Sequence, residues 1–403
     1  MALMQKGDNN LLNGDIINEY YEQMKQLLSQ TRVSFLIGAG CSLYAGLPLM
    51  DSLTQQICEE LDPAITTDED EKTAFNLLKE IENRYKKIKN ISIEDFLSEI
   101  QDIDAILQRQ LTKGIANPVY LSESGSYQRK HTQLLIKEVK EKIVRILGSN
   151  ISTIEYHQKF CRAIHFGLRK GRERTKRPVN YFILNYDTLF EDSLALERIS
   201  FNDGFIGGST AWWDPIHFNR DEHLSGLDRK LEARVYKLHG SIDWIKPQKY
   251  DFPMRVRNSL PMGEVIGLGD KVGEHVVIYP ASIKYKETQH DPFAQMMMSF
   301  RGHLSETENH VFAIIGYGFN DEHINIEVKD GIRKSNGALS VIIFLGTKKL
   351  PGCLNLWLQD TDICSQILIL GKNGIWKDGE KILDSPDDID WYKFEKISDT
   401  LNG

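Results

Sequence analysis

The chain reads as an α/β protein, a Rossmann-like parallel sheet flanked by helices and carrying a helical insertion. Three observations predict this. Short apolar runs recur, among them Val33-Ser34-Phe35-Leu36-Ile37, Tyr181-Phe182-Ile183-Leu184, Val235-Tyr236-Lys237-Leu238, Val276-Val277-Ile278-Tyr279, Val311-Phe312-Ala313-Ile314-Ile315 and Val341-Ile342-Ile343-Phe344-Leu345. Most stop at a polar residue or glycine, and helical or irregular segments separate them, as in buried strands joined by crossovers. Residues 62–150 break the pattern: they carry helical periodicity and no strand pattern.

In chain order, Ile16, Ile17, Tyr20, Tyr21, Met24, Leu27 and Leu28 form one apolar stripe and predict a helix before the first strand. Within 62–150, three helices are predicted. The first is carried by Phe75, Leu77, Leu78, Ile81 and Tyr85. Phe96, Leu97, Ile100, Ile103, Ile106 and Leu107 carry the second, and Leu134, Leu135, Val139, Ile143, Val144 and Leu147 the third. Ser92 followed by Asp95 is a start signal for the second helix. Residues 1–61 and 151–372 are therefore expected to build the sheet domain, 62–150 the insertion, and the polar, acidic residues 373–403 a C-terminal extension.

Composition narrows the classes. At 41% hydrophobic, the 403 residues can bury a core. Lys and Arg number 49 against 57 Asp and Glu, a formal charge of −8, which disfavours direct nucleic-acid binding. The local basic run Lys170-Gly171-Arg172-Glu173-Arg174-Thr175-Lys176-Arg177 reads as a solvated loop. The five cysteines include no C-x-x-C pair, which argues for a reducing compartment and against a zinc ribbon. No secretory signal and no apolar run of about 18 residues is visible, so a cytoplasmic location without a membrane span is expected.

In a parallel sheet, ligands bind at the carboxyl ends of the strands, so the residues after each run are the candidates. After the first run comes Gly38-Ala39-Gly40-Cys41-Ser42, then Gly46-Leu47-Pro48. Such a turn lets backbone approach a phosphate, although it also serves purely structural ends. It is neither a dinucleotide fingerprint, because Leu43 stands where glycine is needed, nor a P-loop, because Ala45 is not glycine and no lysine follows Gly46. The second run ends in Asn185-Tyr186-Asp187, where a helix cap is the plain alternative. The third ends in His239-Gly240, and a later one in Gly316-Tyr317-Gly318-Phe319-Asn320-Asp321. All four fall at one edge of one predicted sheet.

These residues resemble the sirtuin superfamily. Gly38-Ala39-Gly40-Cys41-Ser42 and Gly46-Leu47-Pro48 are similar to its first glycine turn and Gly-Ile-Pro element, Asn185 and Asp187 to its Asn-x-Asp, His239 and Gly240 to its His-Gly, and Gly316 and Gly318 to a turn near the adenosine half of NAD. The zinc-binding C-x-x-C pairs of sirtuin deacetylases are missing; Ser241-Ile242-Asp243-Trp244 follows His239 instead. The wording around the motifs, such as Leu238-His239-Gly240-Ser241 and Ile93-Glu94-Asp95-Phe96-Leu97, is closer to the sirtuin-like NAD hydrolases of bacterial antiphage defence. That resemblance implies NAD as substrate, no metal, a homo-oligomer and a HerA-type ATPase partner.

It also implies roles. Asn185 would orient ribose hydroxyls or water, Asp187 would hold the nicotinamide carboxamide, and His239 would act as general base. Ala39, Gly40 and Ser42 would hold the pyrophosphate, Gly316 and Gly318 the adenosine side, and Gly38, Pro48 and Gly240 would also bind the cofactor. The product would be ADP-ribose or its cyclic form. Two alternatives stay open: an NAD-dependent deacylase, against which the missing zinc cysteines count, and a non-catalytic scaffold that senses NAD or ADP-ribose for a partner ATPase. A nuclease lacks a metal-carboxylate motif, and His157 and His165 read as structural.

Overall fold

The computed structural model describes residues 4–88, 91–122, 125–171, 177–208, 210–219, 231–247, 252–256, 274–277 and 291–402. In chain order the elements begin with α1 (Met4–Leu28), β1 (Val33–Ile37), α2 (Met50–Glu60), α3 (Glu69–Tyr85) and α4 (Ile93–Thr112). The hairpin β2 (Val119–Leu121) and β3 (Ser126–Gln128) precedes α5 (Arg129–Ser149) and α6 (Glu155–Arg162). Next come β4 (Val179–Ile183), α7 (Leu189–Leu196), β5 (Phe201–Asn202), β6 (Phe205–Gly207), β7 (Thr210–Trp213) and α8 (Pro215–Phe218). The strands β8 (Ala233–Lys237), β9 (Gly240–Lys246), β10 (Met254–Val256) and β11 (Glu274–Val277) lead to α9 (Phe293–Leu304). The chain continues through β12 (His310–Ile315), α10 (Glu322–Lys334), β13 (Leu339–Leu345), α11 (Gly352–Gln359), β14 (Ile367–Gly371), β15 (Gly374–Lys377), β16 (Glu380–Asp384) and α12 (Phe394–Asn402).

Among the described residues, nine strands form the central sheet in the order β16-β15-β14-β13-β12-β1-β4-β8-β5. Every pair from β14 to β5 is parallel, and β15 and β16 extend the sheet antiparallel. The chain builds outward from β1 to β4 and β8 on one side, then returns to β12, β13 and β14 on the other. The reversal falls between β1 and β12, and in a doubly wound sheet the crevice at such a reversal is where ligands bind.

Both faces of the sheet are covered, which is why its strands read as unbroken apolar runs. Phe35 and Ile37 face a core that includes Met24 and Leu28 of α1, Phe160 of α6, Phe190 of α7 and Phe394 of α12. Leu36 faces the opposite core, with Met296 and Phe300 of α9, Ile324 and Val328 of α10, and Trp357 of α11. A third core joins α2 to α3, α4 and α5 through Leu53, Ile57, Leu78, Leu97, Val139 and Ile143, and it takes in Tyr186 and Leu189 from the sheet edge. Ser92 caps α4 as its spacing predicts, in a reciprocal pair of bonds with Asp95.

Three sequence expectations need correction. Residues 62–150 do contain strands, the hairpin β2–β3. Each strand is three residues long, and of the two only Tyr127 is buried, with Tyr120 half-buried beside it, too short a pattern to register. The run at 276–279 is not a strand of the parallel sheet. Its described part, in β11, pairs antiparallel with β9 inside a second sheet of order β11-β9-β10-β7-β6; Ile278 and Tyr279 lie outside the described residues. A four-residue apolar run carries no information about its pairing partner. The strand Ile367–Gly371 was not among the expected runs, and it occupies the sheet beside β13. Most of the basic run, residues 172–176, also lies outside the described residues. No helix among the described residues is long and apolar enough to cross a membrane.

Candidate functional site

The ladder brings the candidate residues together. Ile37 pairs with Ile315 on one side and Ile183 on the other, and Ile183 pairs with Lys237. Hydrogen bonds continue one step past the strands, from Gly38 to Ile315, Leu184 to Ile37 and Leu238 to Ile183. Asn185 and His239 each follow one residue later on adjacent strands, about 5 Å apart in the pairing direction. The carboxyl ends of β12, β1, β4 and β8 thus form one continuous rim.

The two glycine turns on this rim interlock. The Gly38 N–H donates to Ile315 O at 2.9 Å and the Gly40 N–H to Gly316 O at 2.9 Å. A Cβ on Gly38 would lie 2.5 Å from the Gly316 oxygen, and one on Gly316 would lie 2.5 Å from the Cys41 nitrogen. Gly316 also adopts a φ of 68°, which other residues rarely take. Packing alone therefore requires glycine at these positions. Ala39 and Gly318 differ: both are exposed, and among the described residues a Cβ on Gly318 would meet only the Asn320 Nδ2 at 3.5 Å. Pro48 is half-buried where the chain enters α2.

Ser42 links the first and second strand ends. The Asn185 Nδ2 donates to Ser42 Oγ at 2.9 Å, and Ser42 Oγ donates to Asp187 Oδ2 at 2.7 Å. The Leu189 N–H donates to the other carboxylate oxygen of Asp187 at 3.1 Å, at the start of α7. Asp187 is therefore a helix-end acceptor and a network member at once. Asn185 is 7% exposed, and its Oδ1 is buried with no hydrogen-bond partner among the described residues. A buried unsatisfied amide oxygen costs about 1–3 kcal/mol, so it marks a position where a donor is missing.

Tyr186, between them, points the other way. Its hydroxyl donates to Glu94 Oε1 of α4 at 2.6 Å, within the helical block. Its carbonyl accepts from the Ile242 N–H at 2.9 Å, which ties this strand end to β9. The buried Lys237 donates to the Asp187 carbonyl and pairs with Glu191 at 3.5 Å.

His239 closes the rim. Its Nε2 lies 3.2 Å from Asp321 Oδ2, with both side chains 9% exposed. The following Gly240 is buried at a φ of 84° and turns the chain into β9. Asp321 was read in the sequence only as the end of a glycine turn. The available signal was an aspartate directly before a helical pattern, which announces a cap and says nothing about a histidine 82 positions away.

Two further groups sit behind the rim. Burial holds the Cys41 thiol well above its ordinary range, with the Asp187 charge adding to the effect, so Cys41 is a neutral thiol and no nucleophile. Burial pushes the His157 imidazole down to about 4, against the opposing pull of Asp187. His157 packs on Phe190 and Phe394, and His165 bonds the Tyr181 hydroxyl at 3.0 Å, so both act structurally. Among the described residues, no group of three His, Cys, Asp or Glu side chains is placed to hold a metal ion.

Comparison with known proteins fits this picture in part. Residues 179–363 match the family model of the SIR2-like domain, a span holding Asn185, Asp187, His239, Gly240, Gly316 and Gly318 but not the first glycine turn. No curated protein matches the chain. Among solved structures, one described as the structural basis for the mechanism and regulation of Sir2 enzymes is 11% identical, with 95% of each chain covered and a TM-score of 0.38. A Sir2 homologue in complex with NAD is also 11% identical, with 94% of this chain and 92% of that one covered and a TM-score of 0.39. From the start of β4 to the loop before β14, the chain is similar to the SIR2-like domain.

Proposed function

We propose that this protein is an NAD+ hydrolase that cleaves the bond between nicotinamide and ribose, releasing nicotinamide and ADP-ribose. One observation carries the reading: the buried, unpartnered Asn185 Oδ1 sits on the strand-end rim, its amide held by Ser42. A ribose hydroxyl or a water molecule is the donor that this oxygen lacks. The glycine turns at the β1–β12 reversal and the SIR2-like match over residues 179–363 support the same reading.

The chemistry suits these groups. Nicotinamide departs neutral, and the ribose gains positive charge as the bond lengthens. The main demands are orientation and a preorganised electrostatic environment. Asn185 orients the ribose hydroxyls or water. Asp187, fixed by Ser42 and the start of α7, presents negative charge toward the nicotinamide side. His239 takes a proton from a ribose hydroxyl or the water. Ala39, Gly40, Ser42 and Pro48 are assigned to the pyrophosphate side, with Gly38 and Gly240 shaping the backbone, and Gly316 and Gly318 to the adenosine side. We further propose that the enzyme acts by NAD depletion in antiphage defence, as a homo-oligomer with a HerA-type ATPase partner; this rests on the sequence resemblance.

The test is release of nicotinamide from NAD by the purified chain, alone and with a HerA-type ATPase added. Asn185→Ala and His239→Ala are each expected to lower kcat by about 10²-fold or more, since a lost general base costs roughly 10²–10⁴ in rate. Full activity in both variants would sink the mechanism. Turnover only with an acetylated peptide would replace hydrolysis by deacylation.

A further inference from the structure

We propose that Asp321 is a positioning residue for His239, fixing which ring nitrogen carries the proton; the inference rests on the proposed hydrolysis only for its kinetic consequence. The strand order places two strands, β1 and β4, between β12 and β8, so the carboxyl ends of β12 and β8 are about 14 Å apart. The turn leaving β12 nevertheless delivers Asp321 to His239, with Nε2 and Oδ2 at 3.2 Å. Two left-handed residues shape that path, Gly316 at φ 68° and Phe319 at φ 60°. Tyr317 braces it through bonds to the Asp321 carbonyl at 2.9 Å and to Asn325 at 3.0 Å, and the Asn325 amide holds the Phe319 carbonyl at 2.9 Å. The pair therefore bridges the rim above the strand ends that carry Ser42 and Asn185.

The two oxygens of Asp321 divide the work. Oδ1 caps α10, accepting from the N–H groups of His323 at 3.1 Å and Ile324 at 3.4 Å. Oδ2 faces the imidazole. Capping needs an acceptor and no charge, since Asn, Ser and Thr cap as well as Asp. The N-terminal end of the thirteen-residue α10 favours the ionised carboxylate. A carboxylate 3.2 Å from Nε2 favours the tautomer with the proton on that nitrogen and stabilises the imidazolium formed when His239 takes a proton. The charge is thus explained by the histidine and the acceptor by the helix.

Asp321→Asn separates the two roles. The asparagine oxygen still caps α10, while its Nδ2 would face His239 Nε2 and force the ring proton to Nδ1. We expect an unchanged melting temperature, a fall in kcat of about 10²-fold with little change in KM, and a switch of the His239 ring tautomer in the 15N spectrum of ring-labelled protein, assigned by its loss in His239→Ala. Asp321→Glu, which restores the charge at a longer reach, should recover part of kcat. An unchanged His239 spectrum, or kcat within twofold of the parent, overturns the proposal. If the parent protein releases no nicotinamide, the reading of the reaction fails, and the ring spectrum alone decides the Asp321–His239 assignment.

Discussion

The strand-end rim and the helical block satisfy their polar groups in opposite ways. In the block, charges lie at the surface in pairs such as Lys130–Asp70 and Lys137–Glu141, and the apolar stripes of α3, α4 and α5 meet in one core. Exposed pairs of this kind contribute about 0–1 kcal/mol each. On the rim, Ser42, Asn185, Asp187 and His239 are each less than a tenth exposed, and they bond mostly to one another and to backbone. Burying so many polar groups is costly unless every one is matched. An orphaned oxygen inside such a cluster is the feature on which the proposed ligand site rests. The block shows how this chain gains stability; the rim shows where it gives some up.

Three substitutions sharpen that contrast, in falling order of effect. Gly316→Ala should destabilise most, by about 3 kcal/mol, because a left-handed φ costs roughly 1–2 kcal/mol in any residue with a Cβ and overpacking adds a similar amount. Its methyl group would meet the Cys41 nitrogen and Sγ. Urea unfolding measures the loss, and an unchanged midpoint would show that the two turns separate easily.

Tyr186→Phe removes the bond that joins rim to block. The buried Glu94 loses a donor, which should cost about 1–3 kcal/mol. Because the Tyr186 side chain points away from the Ser42 network, kcat for NAD should stay within several-fold of the parent. A kcat loss as deep as that of Asn185→Ala would instead mean that the block directly shapes the site. The mildest change, Ser92→Ala, removes the cap of α4 at a cost of about 1 kcal/mol and should leave turnover unaltered. Slowed turnover there would show that the block's stability is transmitted to the rim.

The structure also marks how far the sequence could be read. The five-residue β1 matches its apolar run in both bounds, and the stripes at 75–85, 96–107 and 134–147 lie on α3, α4 and α5. Runs buried on both faces and stripes of helical period are local patterns, so they survive without tertiary knowledge. The hairpin β2–β3, the antiparallel sheet around β9 and the antiparallel extension of the sheet past β14 by β15 and then β16 were not legible. Their strands are short, and their partners are chosen by packing. The packing reason for Gly38, Gly40 and Gly316 was equally hidden, because it arises from two turns nearly 280 residues apart pressing together.

By itself, the sequence determined the class of fold, the rim on which polar residues gather, and the identities of Asn185, Asp187 and His239 as residues worth inspecting. Each of those follows from short-range pattern, strand followed by turn, which the chain carries locally. Only the tertiary structure decided that Ser42 stands between Asn185 and Asp187, that one oxygen of Asn185 is left without a donor, and that Asp321 crosses the rim to His239. Those facts depend on register and on the reach of loops between distant strands, and such distances are set by the packed sheet as a whole.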